Sequence, residues 1–147
     1  MKPIPPIYVD VLIAQRGGSD VIRDMARRPV VLIADDDFQM RNFLANLFAM
    51  DGGFRIGGVA QDGFEAAMLS IDLQPDVVIM DFYMPRWDGA RAAKFIRERC
   101  PNTKIIAYSA ILTEPPEWGD DFLLKNITNE VIPKTLRLCS KPLAKGA

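Results

Sequence analysis

The run Val77-Val78-Ile79-Met80, closed by Asp81, constrains this chain more than any other stretch. Continuous apolar residues without two-residue alternation leave no face for solvent. The segment therefore reads as a strand covered on both sides, as in a parallel sheet between helices. The residues Phe82-Tyr83-Met84-Pro85-Arg86-Trp87-Asp88-Gly89 follow as a loop with turn chemistry. A carboxylate in the place of Asp81 stands at the carboxyl edge of the sheet, where open α/β folds bind their ligands. Its chemistry depends on which other side chains reach the same edge.

From Val30 onward, strand-like and helix-like segments alternate. Val30 to Ala34 is an apolar strand running into Asp35-Asp36-Asp37. Phe38 to Met50 places Met40, Phe43, Leu44, Leu47 and Phe48 at helical spacing, and Asp51-Gly52-Gly53 stops it. Arg55 to Ala60 is a weaker, glycine-containing strand, Asp62 to Leu73 a second helix, and Asp88 to Arg99 a third, closed by Cys100-Pro101-Asn102. Lys104 to Ser109 gives a fourth strand and Phe122 to Leu124 a short fifth, ending on Lys125. The last helix runs from about Asn129 to Cys139, and Pro133 near its start implies a late or distorted first turn. This order predicts a doubly wound α/β domain with a parallel sheet and right-handed crossovers.

At 147 residues the chain makes one ordinary domain with a real core. Its 18 basic and 19 acidic residues give no electrostatic case for direct nucleic-acid binding. The apolar runs fall well short of the ~20 residues a membrane span needs. No charged segment followed by an apolar one opens the sequence, which points to a cytoplasmic protein. Cys100 and Cys139 form no CxxC pattern and read as reduced thiols. There is no histidine at all, which excludes any mechanism that needs an internal imidazole base, a histidine metal ligand or a phosphohistidine.

Asp35 and Asp36 end the first strand, Asp81 the third, Ser109 the fourth, and Lys125 follows the fifth. In a parallel sheet these ends converge. Carboxylates brought together repel, and a bound hard cation such as Mg²⁺ is the usual compensation. Such a site makes a carboxylate a competent nucleophile toward a phosphoryl group, with a hydroxyl and an ammonium beside it for the phosphoryl oxygens. The bland alternatives are that Asp35 to Asp37 merely cap a helix, that Asp81 is a turn residue, that Ser109 and Lys125 are incidental, and that Phe122 is simply core.

The segments Val31-Leu-Ile-Ala-Asp-Asp-Asp, Pro75-Asp-Val-Val-Ile-Met-Asp-Phe-Tyr-Met-Pro-Arg-Trp-Asp-Gly, Ile105-Ile-Ala-Tyr-Ser-Ala and Phe122-Leu-Leu-Lys resemble the receiver domain of two-component response regulators. The resemblance runs over about residues 30 to 139 with its motifs in order. It implies a flavodoxin-like five-stranded sheet of order 2-1-3-4-5. It further implies that Asp81 accepts a phosphoryl group from a histidine kinase or a histidine phosphotransfer protein. In the family pattern Asp35 and Asp36 hold Mg²⁺ together with Asp81 and the backbone carbonyl of Tyr83. Ser109 matches the switch hydroxyl, Ala110 the small residue that leaves room for the phosphoryl group, Lys125 the lysine of the site, and Phe122 the aromatic that turns inward on phosphorylation.

The match departs from the pattern after Ser109. Lys125 follows only 16 residues later, and Pro115-Pro116 and Gly119 lie between them. These residues leave at most a turn or so of helix, so the helix expected there is shortened or missing. Its loss uncovers apolar sheet surface unless another segment covers it. Lys125 is followed by Asn126 instead of the proline often found there.

Residues 1–29 read as an extension, with a strand-like Ile7 to Ala14 and a short helix capped by Ser19, or else as an over-long gene start. The Ile7 to Ala14 segment is a candidate cover for the sheet, within the chain or from a second copy in a homodimer. Residues 140–147 read as a tail. The expected function is a stand-alone receiver that catalyses only its own phosphoryl transfer and autodephosphorylation and switches protein contacts. The competing readings are a pseudo-receiver without phosphorylation, the receiver part of a DNA-binding regulator, and a Mg²⁺-dependent phosphohydrolase.

Overall fold

The computed structural model describes residues 27–140. The expected strand over Ile7 to Ala14, the helix capped by Ser19 and the tail beyond Ser140 lie outside the described residues. Within them the order is β1 (Val30–Ala34), α1 (Phe38–Asp51), β2 (Arg55–Ala60), α2 (Gly63–Leu73), β3 (Val77–Asp81), α3 (Gly89–Arg99), β4 (Lys104–Ser109), β5 (Asp121–Leu124) and α4 (Val131–Ser140). The strands form one parallel sheet of order β2-β1-β3-β4-β5, the flavodoxin-like arrangement.

All five residues of β3 are buried, as its unbroken apolar run requires. Neighbouring positions on the strands serve opposite layers. Val31, Ile33, Val77, Ile79, Ile106, Tyr108 and Leu123 pack with α1 and α4 through Leu44, Phe48, Val131 and Leu138. Leu32, Ala34, Val78, Met80 and Ile105 pack with α2 and α3 through Ala66, Ala92, Ala93 and Ile96. Burying each large aliphatic side chain contributes about 1.5–3 kcal/mol, so the central strands dominate stability.

Aspartates start three of the helices. Asp37 caps α1 by accepting from Gln39 N, Asp62 caps α2 through Glu65 N, and Asp88 caps α3 through Arg91 N. Gly52 ends α1 at a φ of 79°, a left-handed turn that glycine adopts without a Cβ penalty. The last helix starts at Val131, and Pro133 falls in its first turn, where its missing N–H costs no hydrogen bond. Phe43 shares the periodic face of α1 yet stays exposed, while Leu44 and Phe48 carry the packing.

No helix connects β4 to β5. Residues 110–120 form a strap with a single turn at Glu117–Trp118, as Pro115-Pro116 and Gly119 imply. The sheet beneath is not bare, however: Ile105 and Ala107 are fully buried, and Trp118 packs against the layer formed with α2 and α3. The indole gives the strap an apolar contact with that layer.

Candidate functional site

β1, β3, β4 and β5 deliver their last residues to one edge. Parallel register sets Ala34 beside Met80, Asp81 beside Tyr108 and Ser109 beside Leu124. Asp35, Asp81, Ser109 and Lys125 each sit at or one residue past a strand end in that register. Asp35 is fully buried and Asp81 and Ser109 nearly so, while Asp36 is exposed. Asp35, Asp36 and Asp81 each offer one carboxylate oxygen, and these atoms lie within 4.8 Å of one another.

Asp35 is oriented from both sides. Its Oδ1 accepts from Asp37 N at 2.8 Å, and its backbone carbonyl accepts from the buried Arg41 Nη1 at 2.7 Å. Its Oδ2 is buried without a hydrogen bond and meets only the Lys125 ammonium, as an ion pair at 3.0 Å. Lys125 Nζ also lies 3.1 Å from Asp81 Oδ1 and 5.5 Å from the centre of the Tyr108 ring. One ammonium thus serves two buried carboxylates, with a third carboxylate beside them. The charges do not balance. Burial first, then the charge of Asp35, push the Asp81 carboxyl up to about 7 against the pull of Lys125. Burial alone would lower the Lys125 ammonium, but Asp35 and then Asp81 outweigh it, and its pKa is raised. Burial pushes the Tyr108 phenol up to about 12, and its hydroxyl donates to Met40 Sδ at 3.3 Å.

Three clustered carboxylate oxygens facing a single ammonium leave negative charge in excess, and that donor set fits a small hard cation. The bend after β3 belongs to the same site. Phe82 N donates to Tyr108 O at 3.3 Å, Gly89 N donates to Phe82 O at 3.0 Å, and Tyr83 stands on the bend two residues past Asp81. A Cβ on Gly89 would fall 2.5 Å from the Asp81 carbonyl oxygen, which explains the glycine of the Asp88-Gly89 pair. Arg86 sits in the bend at a φ of 63° and is held by Asp62, 2.9 Å from its Nε.

The alternatives for the acidic run divide by residue. Asp37 is the helix cap; Asp35 and Asp36 are not. Ser109 Oγ accepts from Ile111 N at 3.3 Å, and Ala110 is exposed just beyond it. Phe122 is half-buried, with Lys134 Nζ 4.5 Å from its ring centre. Sequence reasoning passed over Arg41, Tyr108, Trp118 and the Asp62–Arg86 pair, because their contacts depend on where the side chains point and no linear pattern marks that.

The family model described as the response regulator receiver domain matches residues 31–137. A protein-glutamate methylesterase/protein-glutamine glutaminase of Geobacter sulfurreducens is 29% identical over 117 residues, covering 74% of this chain. The chain spans about a third of that relative, 32% of its length. Among solved structures, the response regulator domain of Thermotoga maritima CheB matches with a TM-score of 0.67 at 29% identity, over 79% of this chain and all of that one. The CheX-CheY-BeF3-Mg+2 complex of Borrelia burgdorferi also matches with a TM-score of 0.67, at 27% identity, over 76% of this chain and 90% of that one. Among the described residues, no helix is long and apolar enough to cross a membrane.

Proposed function

This chain belongs to the response regulator receiver domain family, and from that premise we propose that it accepts a phosphoryl group on Asp81 in the presence of Mg²⁺. The observation that carries the reading is the cluster itself: a nearly buried Asp81 within reach of Lys125, Asp35 and Asp36, three carboxylates against one ammonium. Asp35, Asp36, Asp81 and the backbone carbonyl of Tyr83 would hold the cation. When bound, Mg²⁺ supplies positive charge for the carboxylates and for the phosphoryl oxygens.

The chain's own residues do the remainder. An Asp81 carboxylate oxygen forms the bond to phosphorus while the bond from phosphorus to the donor's imidazole nitrogen breaks. The Lys125 ammonium, already 3.1 Å from Asp81 Oδ1, offsets charge on the phosphoryl group, and Ser109 lends a hydroxyl donor. Ala110 keeps the approach open. With no histidine in the chain, the phosphohistidine donor is a partner, a histidine kinase or a histidine phosphotransfer protein. Autodephosphorylation at Asp81 is then hydrolysis of a mixed anhydride within the same pocket.

The methylesterase name of the relative is not carried over, because the match spans a third of it and this chain alone cannot supply an imidazole base. The output is a switch of protein contacts by the receiver over residues 30–139. Intact mass after incubation with acetyl phosphate and Mg²⁺ tests this reading. One added phosphoryl group on wild type and none on Asp81→Asn supports it; no gain on wild type makes the chain a pseudo-receiver.

A further inference from the structure

The strap 110–120 lacks a helix yet is fastened at both ends. At its start, Ser109 Oγ accepts from Ile111 N at 3.3 Å. At its end, Arg97 donates to the Trp118 carbonyl through Nε at 3.2 Å and Nη2 at 2.8 Å. Asp120 closes it: its Oδ2 accepts from Ile105 N at 2.7 Å and from Arg97 Nη2 at 3.1 Å, while its own N donates to Ile105 O at 2.7 Å. These bonds tie the end of the loop to β4 and α3.

Trp118 is where the strap touches the site. Its ring centre lies 5.5 Å from that of Phe82, the residue directly after Asp81, and Phe82 in turn lies 4.9 Å from Tyr83. A Cβ on Gly89 would lie 2.5 Å from Asp81 O, 3.1 Å from Trp118 Cη2 and 3.2 Å from Phe82 O. The indole therefore closes on the backbone that carries Asp81, around a position that has no side chain. Phe122 is placed otherwise. Lys134 Nζ lies 4.5 Å from its ring centre and donates to its carbonyl at 2.8 Å, so α4 grips that residue twice.

We propose that Trp118 is a positioning residue of the site, which through Phe82 couples the state of Asp81 to the strap 110–120, the role that family resemblance gives to Phe122. The inference rests on the reading of Asp81 as phosphoacceptor. Added negative charge at Asp81 draws the Ser109 hydroxyl toward it, and the Ile111 link moves with Ser109. The same event shifts the Phe82 bend under Trp118. Both ends of one pinned loop then respond together, which is what a two-state element needs. Coupling is reciprocal, so a change at Trp118 alters how well the site binds a phosphoryl mimic.

Hydrogen exchange over residues 110–120, with and without Mg²⁺ and beryllofluoride, tests this in wild type, Trp118→Leu, Trp118→Phe and Phe122→Leu. Intact mass after acetyl phosphate treatment is measured beside it. The mimic is expected to change strap exchange in wild type, Trp118→Phe and Phe122→Leu, and not in Trp118→Leu. Trp118→Leu is also expected to shift the half-saturating beryllofluoride concentration by roughly fivefold. Should Trp118→Leu lose the fold, Arg97→Gln releases the strap while leaving the indole, and the response is expected to weaken there. A response that survives in a folded Trp118→Leu, or that keeps its full size in Arg97→Gln where Trp118→Leu does not fold, or that vanishes in Phe122→Leu, overturns the inference while phosphorylation of Asp81 stands. No mass gain on wild type overturns the phosphoacceptor reading and the inference with it.

Discussion

Lys125 Nζ lies 3.0 Å from Asp35 Oδ2 and 3.1 Å from Asp81 Oδ1, so two buried carboxylates share one ammonium. Asp81 is the member left short, with its carboxyl pushed up to about 7. Between the ordinary carboxylate value of 3.8 and about 7 the folded chain binds a proton that the unfolded chain does not. Stability therefore falls as pH rises through that window, in the absence of a cation. In chelator, Asp81→Asn is expected to raise stability by about 1–3 kcal/mol at pH 8 and by little near pH 4, measured by urea unfolding. An equal effect at both pH values would contradict the charge account. Lys125→Met removes the shared cation and is expected to lower stability by about 2–4 kcal/mol at pH 8 in chelator, with part of the loss recovered on adding Mg²⁺. Insensitivity of this variant to Mg²⁺ would count against a cation site at these oxygens.

Among the elements, the strap marks where reading from sequence was strong and where it stopped. The strands were legible because Val30–Ala34, Val77–Asp81 and Lys104–Ser109 are apolar runs bounded by turn chemistry, and burial on both faces permits little else. Helix starts were legible through Asp62 and Asp88, which proved to be the caps themselves. The missing helix was legible as well, since prolines and glycine forbid it. What covers the sheet instead was not: Trp118 has no periodic neighbours, and its partners Phe82 and Arg97 lie far away in the chain. Asp120 shows the same limit, a strap residue whose carboxylate is bonded to Ile105 N and Arg97. Asp120→Ala is expected to cost about 1–3 kcal/mol and to speed amide exchange at Ile105, while α1 and β2 exchange as before. Unchanged exchange at Ile105 would show that the strap is not fastened there.

For the whole molecule, the sheet order brings residues far apart in sequence to a single edge, and this convergence makes the site. Asp35 and Asp36 follow β1, Asp81 ends β3, Ser109 ends β4 and Lys125 follows β5; apart in the chain, none of them has this chemistry. That much was legible because chain order and strand ends imply the edge. The contacts that set their balance were not, since the ion pairs of Lys125 and the Arg41 hold on Asp35 depend on side-chain placement. The central claim is that this edge turns Asp81 into a phosphoryl acceptor. Its most direct test is the intact mass of the full chain after acetyl phosphate and Mg²⁺, run beside Asp81→Asn and a chelator control. The predicted result is one phosphoryl group on wild type, lost in the variant and in chelator; a wild-type mass that does not change, or a gain that persists in Asp81→Asn, would contradict it.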